Sequence, residues 1–192
     1  MAQFDYIKDP AEIYRRSFAA IDEEVDFSAL PASMHALARR LIHTGGMIDV
    51  IDDVVFSPDA AKIGAAALKQ RAPILCDVQM VAAGITKRFL PMNNEVLCAL
   101  DDTQTNIIAA RDGTTCSAAA IEVLAEQFGG AVLAIGNAPT ALFHALELVA
   151  EGADKPALIL GFPVGFVGAI ESKAALIANE LEIPFIALKG RR

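Results

Sequence analysis

The chain contains no tryptophan, and aromatic residues make up only 6% of it. A core without large rings has to come from alanine and branched aliphatics, and 54% of the residues are apolar. Positive charge is also short. Sixteen Lys and Arg face 24 Asp and Glu, for a formal net charge of −8. That balance excludes the broad basic field that nucleic acid requires, so an anionic ligand would have to be held by local groups. No apolar run reaches the ~20 residues that cross a bilayer. The start, Met1 to Tyr6, lacks the basic-then-apolar layout of a secretory leader. The expectation is a cytoplasmic protein with no membrane partner. Cysteine is sparse: Cys76, Cys98 and Cys116 are far apart and form no C-x-x-C. Cys76 and Cys98 lie in apolar runs and read as buried thiols acting as small hydrophobes. No two of the three histidines stand at metal-ligand spacing with a carboxylate, so no metal is expected.

The 192 residues suffice for one domain, 1–192, burying about 70% of its unfolded surface. Asp9-Pro10 opens a helix running to about Asp22, with Asp9 as cap. A second starts near Pro31 and stops at Gly45-Gly46, with Met34, Leu37, Ala38 and Leu41 as its apolar stripe. Five apolar runs then read as strands: Val54–Ser57, Ala72–Asp77, Glu95–Leu100, Ala131–Ile135 and Ala157–Leu160. Pro184–Leu188 is the last strand. Helices are expected over Asp59–Gln70, Val78–Gly84, Thr115–Phe128, Pro139–Glu151 and Val167–Leu181. Asp101–Thr114 is polar and reads as irregular. Strands alternating with helices predict an α/β fold: a mostly parallel twisted sheet with helices on both faces. Ligands of such sheets lie outside the carboxyl ends of the strands.

Two strand-to-helix turns fall at those ends, Ala131–Leu142 and Leu158–Lys173. Neither is a nucleotide fingerprint. Gly161, Gly165 and Gly168 are spaced by four and three, where a dinucleotide turn needs G-x-G-x-x-G, and no G-x-x-x-x-G-K-[ST] occurs. Phe162, Val164, Phe166 and Val167 instead suit the face of something large, flat and apolar. Free backbone N–H groups at such turns can hold an anion, which points to Asn137 through Thr140. Local cations and donors are Arg16 and Ser17 on the first helix, Thr86 and Lys87 after the fourth, and Lys173 after the second turn. His43 sits on the last turn of its helix. The carbonyl end of a helix favours a protonated imidazole, while Arg39 and Arg40 oppose it, and the balance suits proton delivery near neutrality. His144, in an apolar helical stretch, reads as a satisfied packing histidine.

These residues resemble one family closely, precorrin-8X methylmutase or precorrin isomerase. The likeness runs through Ile13-Tyr14, Arg16-Ser17-Phe18, Ile42-His43, Phe56-Ser57-Pro58, Pro73–Asp77 and Gly84-Ile85-Thr86. It continues through Asn94-Glu95-Val96, Ser117–Ala120, Ile135–Leu142 and Gly161–Lys173. The resemblance implies an isomerase of cobalamin (vitamin B12) biosynthesis. It would move a methyl group from C11 to C12 of precorrin-8X by a formal 1,5-sigmatropic shift, giving hydrogenobyrinic acid. It implies His43 as the acid that protonates the ring system. Arg16, Ser17, Thr86, Lys87, Ser117, Asn137, Thr140, Gly161, Gly165 and Lys173 would be substrate-binding residues. It further implies a homodimer that needs neither metal nor organic cofactor. Two features depart from the family. Thr115-Cys116-Ser117 stands where members commonly have Thr-Arg-Ser, an arginine expected to bind a substrate carboxylate, with Arg111 as a substitute cation. Family chains also usually continue past the Gly-Arg matching Gly190-Arg191 with a small-residue helical tail, whereas this sequence ends at Arg192.

Three rival readings follow from the same residues. One is a tetrapyrrole-binding or escort protein without catalysis, suggested by Cys116. Another is a cobalt-precorrin-8 methylmutase of the anaerobic route. The third, an S-adenosylmethionine-dependent methyltransferase, rests only on the α/β pattern, and the early strand carries neither the bare glycine loop nor the acidic residue it needs.

Overall fold

A six-stranded sheet in the order β1-β6-β5-β4-β2-β3 organises most of the chain. The computed structural model describes residues 4–192; residues 1–3, part of the start read above as lacking a leader, lie outside them. The chain divides into two compact units, Met1–Asp53 and Val54–Arg192.

The first unit is helical. In α1 (Pro10–Glu24), Asp9 accepts from the Ala11 N–H at 3.0 Å, and Pro10 fills the first turn where no N–H is needed. Helix α2 (Ala32–Gly45) ends at Gly46, whose φ of 63° lets its N–H return to the Ile42 carbonyl. Its buried stripe is Met34, Ala38 and Ile42. Leu37 and Leu41, expected on that stripe, are only half-buried and flank it. A short 3-10 helix, Ile48–Asp53, follows, which the sequence reading did not anticipate.

The second unit carries the sheet: β1 (Val54–Phe56), β2 (Ile74–Cys76), β3 (Val96–Leu97), β4 (Val132–Ile135), β5 (Leu158–Gly161) and β6 (Phe185–Leu188). All neighbours are parallel except β1, which pairs antiparallel with β6 through Val54 opposite Leu188. The side chains alternate as a strand requires. Ile74, Cys76 and Ala134 face α3 (Ala60–Lys69) and α4 (Gln79–Gly84), packing with Leu68, Val81 and Ala82. Leu75, Leu133, Ile135 and Ile159 face the other way, against α6 (Cys116–Val123), α7 (Pro139–Ala150) and α8 (Ala169–Ile177). Helices therefore cover both faces, and the central strands are apolar throughout because little of either face meets water, while the edge strands β1 and β3 are only partly buried. Each large aliphatic buried this way contributes about 1.5–3 kcal/mol.

Two regions depart from the sequence expectation. Residues 103–112, read as irregular, form helix α5 (Thr103–Asp112). Its apolar residues, Ile107 to Ala110, are consecutive rather than spaced along one face, so the apolar period that identifies helices is missing. Its ends carry the signal instead: Asp102 accepts from the Gln104 N–H at 2.8 Å, and Gly113 closes it at φ 62°. The stretch Glu95–Leu100 contributes only two strand residues, since β3 is the sheet edge and leaves the ladder after Leu97.

Gly161 closes β5 in a place where no side chain fits. A Cβ there would lie 2.4 Å from Leu176 Cδ2 of α8 and 3.6 Å from Leu142 Cδ2 of α7. Leu176 and Leu142 are fully buried and have nowhere to retreat. Gly161→Ala is therefore expected to destabilise the fold by about 1–3 kcal/mol through overpacking. Urea denaturation monitored by circular dichroism reads this as a lower midpoint at unchanged slope; an unaltered midpoint would contradict the packing argument.

Candidate functional site

In the first unit, the site is built by two helices. Ser17, half-buried in the middle of α1, faces α2, where His43 lies on the last turn, and Ser17 Oγ sits 2.7 Å from His43 Nδ1. The ring packs against Tyr14 at 5.2 Å and edge-on against Phe18 at 5.3 Å between centroids. The Arg40 guanidinium lies over both aromatic rings, 5.0 Å from that of Phe18. Ser17, Ile21, Ile42, His43 and Gly46 help line a hollow of about 210 Å³. The imidazole is thus half-buried and fixed on three sides. When Nδ1–H donates to Ser17 Oγ, the other nitrogen, Nε2, is the one that can give up a proton, and the same bond persists once it has. Sequence reasoning named both residues but missed that they form a pair. Their separation of 26 positions hides it, since it depends on how α1 and α2 pack.

Arg16 is less available than its position suggested. Glu12 accepts from Arg16 Nε at 2.6 Å and from Arg15 Nε and Nη2 at 2.7 Å. Those bonds, Arg15's foremost, hold the Glu12 carboxyl down at about 2. A ligand carboxylate at Arg16 has to compete with one already present.

In the second unit, the carboxyl ends of β2, β4 and β5 meet where the strand order turns back on itself. β2 has β3 on one side and β4 on the other, and the chain passes from β3 through α5 and α6 to β4. Such a reversal is where open α/β sheets hold ligands. Asp77, the residue after β2, is completely buried there. Its carboxylate accepts from the backbone N–H groups of Gly136, Asn137 and Ala138 at 3.1, 2.9 and 2.7 Å. The N–H groups at Asn137 and Ala138 expected to hold a substrate anion are therefore already taken by the chain's own anion. Thr140 Oγ1 lies 2.7 Å from Thr115 Oγ1, and Thr115 also caps α6 by accepting from the Ala118 N–H. Ser117 is half-buried in the first turn of that helix. Above this rim, Val164 is half-exposed and Phe166 and Val167 are 87% and 89% exposed. Gly165 between them takes φ 126° with open space around it.

Two further expectations are corrected and one is qualified. Lys173 is 1% exposed and donates through Nζ to the Arg192 carbonyl, so it is a core-side cation rather than one facing a ligand. At Gly161 the packing of α8 already excludes a side chain, whatever the turn binds. Arg111, the substitute for the missing arginine, donates to Asp112 and Glu122. Thr86 and Lys87 are exposed and lie beyond α4, where Lys87 borders a separate hollow of about 510 Å³ beside β3. His144 bonds Glu122 and Glu147 at 3.1 and 3.2 Å, as a satisfied histidine should. Among the described residues, no group of three His, Cys, Asp or Glu side chains is arranged to hold a metal ion. Likewise, no helix among them is long and apolar enough to cross a membrane.

Comparison with known proteins gives a consistent picture. The family model for precorrin-8X methylmutase matches residues 12–192. The chain is 51% identical over 188 residues to a precorrin-8X methylmutase of Pseudomonas aeruginosa, covering 98% of this chain and 90% of that protein. It is 34% identical over 184 residues to a cobalt-precorrin-8 methylmutase of Priestia megaterium, covering 95% and 81%. A crystal structure of a precorrin-8X methylmutase from Thermus thermophilus superimposes with a TM-score of 0.85 at 34% identity, covering 95% of this chain and 87% of that one.

The thiols differ in a way that can be read chemically. Burial pushes the Cys76 thiol up to about 12, with Cys98 and Asp77 adding repulsion, and burial also raises Cys98. Cys116 is exposed on the first turn of α6. With a raised value the reactive thiolate is scarce near neutral pH, and Cys76 is also fully buried, so it is unreactive in the folded protein there. Ellman's reagent at pH 8 is expected to titrate one thiol rapidly in the folded protein and three in denaturant. Cys116→Ser should remove the rapid phase; its persistence would place the reactive thiol elsewhere.

Proposed function

This chain belongs to the precorrin-8X methylmutase family, and from that premise we propose that it shifts the methyl group of metal-free precorrin-8X from C11 to C12, with His43 as general acid. The family's reaction is an isomerisation: one carbon–carbon bond breaks and another forms within a single molecule, and no atom is gained or lost. Such a shift calls for a clamp and a transient proton, with neither a methyl donor nor an oxidant entering the balance. Orientation in the clamp supplies part of the acceleration. A proton placed on the conjugated ring near the migrating carbon lowers the electronic barrier and is returned afterwards.

The observation that carries this reading is the Ser17–His43 pair at 2.7 Å. With Nδ1–H donating to Ser17, protonation and deprotonation are confined to Nε2. The aromatic rings of Tyr14 and Phe18 hold the imidazole plane. The exposed Phe166 and Val167 offer an apolar surface to the macrocycle face. Thr86, Lys87, Ser117, Thr140 and the side-chain amide of Asn137, whose backbone N–H is committed to Asp77, offer donors for its acetate and propionate arms, with Gly165 leaving the backbone open beside them. Identity favours the metal-free substrate: 51% to precorrin-8X methylmutases of Pseudomonas aeruginosa and Sinorhizobium, against 34% to the cobalt-precorrin-8 enzyme of Priestia megaterium. The family match crosses the boundary between the two units, which supports reading residues 1–192 as one functional domain. A cytoplasmic homodimer is part of the same proposal, and sedimentation equilibrium tests the dimer.

The absorbance change from precorrin-8X to hydrogenobyrinic acid measures the reaction directly. His43→Ala is expected to lower kcat by about 10²- to 10⁴-fold with an unchanged thermal melt. Ser17→Ala should cost about tenfold, the value of one hydrogen bond that orients the ring. Normal turnover by His43→Ala would remove the assigned role. Binding by the wild-type protein without spectral conversion would favour an escort, the reading that exposed Cys116 motivates.

A further inference from the structure

Asp77 has no place in the reaction as derived above, yet it is the most heavily engaged side chain at the carboxyl edge of the sheet. Its backbone N–H continues the ladder to the Ala134 carbonyl at 3.4 Å, which ties the residue to β4. Its carboxylate draws in three successive N–H groups of the turn after β4. Three donors converging on one carboxylate form a nest of the kind that elsewhere binds exogenous phosphate or carboxylate. Such charge-assisted bonds are about twice as strong as neutral ones.

The consequence travels one loop further. With the Ala138 N–H turned inward to Asp77, the carbonyl of the same trans peptide, that of Asn137, points the opposite way, to the loop after β5, where the Val164 N–H donates to it at 3.3 Å. That loop is joined to the sheet by a second bond, from the Phe162 N–H to the Ile135 carbonyl at 2.8 Å. A single buried carboxylate thus stands at the head of a chain of bonds from β2 through β4 to the loop that presents Val164, Phe166 and Val167.

We propose that Asp77 is a positioning residue for the macrocycle: by filling the anion nest at the strand reversal, it fixes the turn at 136–138 and, through Asn137, the apolar loop on which the ring face rests. This rests on the reading of that edge as the macrocycle's binding rim. It also sets a specificity. No carboxylate arm of the substrate can enter the nest, so the ring meets this part of the edge with its uncharged face.

The test is a titration with hydrogenobyrinic acid followed by absorbance, on wild-type protein, Asp77→Asn and Val164→Pro. Asp77→Asn keeps the shape but replaces an acceptor oxygen with an NH₂ that opposes the donors. Val164→Pro removes the N–H given to Asn137 and leaves the Asp77 bonds intact. Both variants are expected to bind the corrin at least about fivefold more weakly. In turnover, KM should rise more than kcat falls, the reverse of His43→Ala. Amide exchange at residues 136–138 should speed up in Asp77→Asn only. Wild-type affinity in Val164→Pro, or in a folded Asp77→Asn whose turn exchanges faster, overturns the proposal while leaving the assigned activity standing. Failure of the wild-type protein itself to bind the corrin removes the binding-rim reading and this proposal with it.

Discussion

The carboxylate of Asp77, buried among three backbone N–H groups, is the interaction on which the carboxyl edge of the sheet depends. A parallel sheet brings its strand ends together at one edge, and the turn before α7 leaves N–H groups there without helical partners. Water or a ligand would ordinarily meet them. In this protein an acidic side chain from the neighbouring strand does so. Each of those groups, left buried and unpaired, would cost about 1–3 kcal/mol, so the turn has one strongly favoured conformation. The loop after β5 inherits it through the Asn137 carbonyl. Order at the edge is therefore set in the second layer, beneath the exposed apolar side chains.

Much of the architecture was legible because the apolar period is strong. The runs at Ile74–Cys76, Val132–Ile135, Leu158–Gly161 and Phe185–Leu188 are buried on both faces and have no polar interruption. Caps marked the helices equally well: Asp9 before α1 and Gly46 after α2 act as their residue types predict. Helix α5 escaped because period and cap disagree there. Only Thr105 is buried on it, and that hydroxyl donates to the Ala99 carbonyl at 2.6 Å, so a polar residue does the work that an apolar stripe does elsewhere.

The site was legible residue by residue but not in its pairings. His43 was visible from the end of its helix; that its partner is Ser17 depends on how α1 and α2 pack, which no spacing encodes. Asn137 was noticed as a donor, while the acceptor that occupies it lies 60 positions away. Lys173 shows the opposite failure. A lysine after a glycine turn reads as a solvent-facing cation, yet it points inward because α8 presents that position, with Ser172 and Leu176, to the interior. Helical phase decided its role, and in a helix with so even an apolar distribution the phase is hard to read.

These placements change how an acidic chain can hold a polycarboxylate. Arg16 is engaged by Glu12, Arg111 by Asp112 and Glu122, and Lys173 is buried, so the cations nearest the conspicuous motifs are largely committed within the protein. A ligand bound mainly by salt bridges would have to displace those partners, and exposed pairs of that kind return little, about 0–1 kcal/mol each. The free energy has to come from elsewhere. Two nearly fully exposed apolar side chains, Phe166 and Val167, offer burial worth about 1.5–3 kcal/mol apiece. The hydroxyls of Thr115 and Thr140 and the exposed Thr86 offer neutral hydrogen bonds. Recognition built this way depends on the ring face and on shape more than on charge, so it should weaken little as salt rises. On the proposed reading such binding also lets the isomer go, since neutral contacts can be made equally by substrate and product and discrimination of the transition state falls to the proposed proton donor.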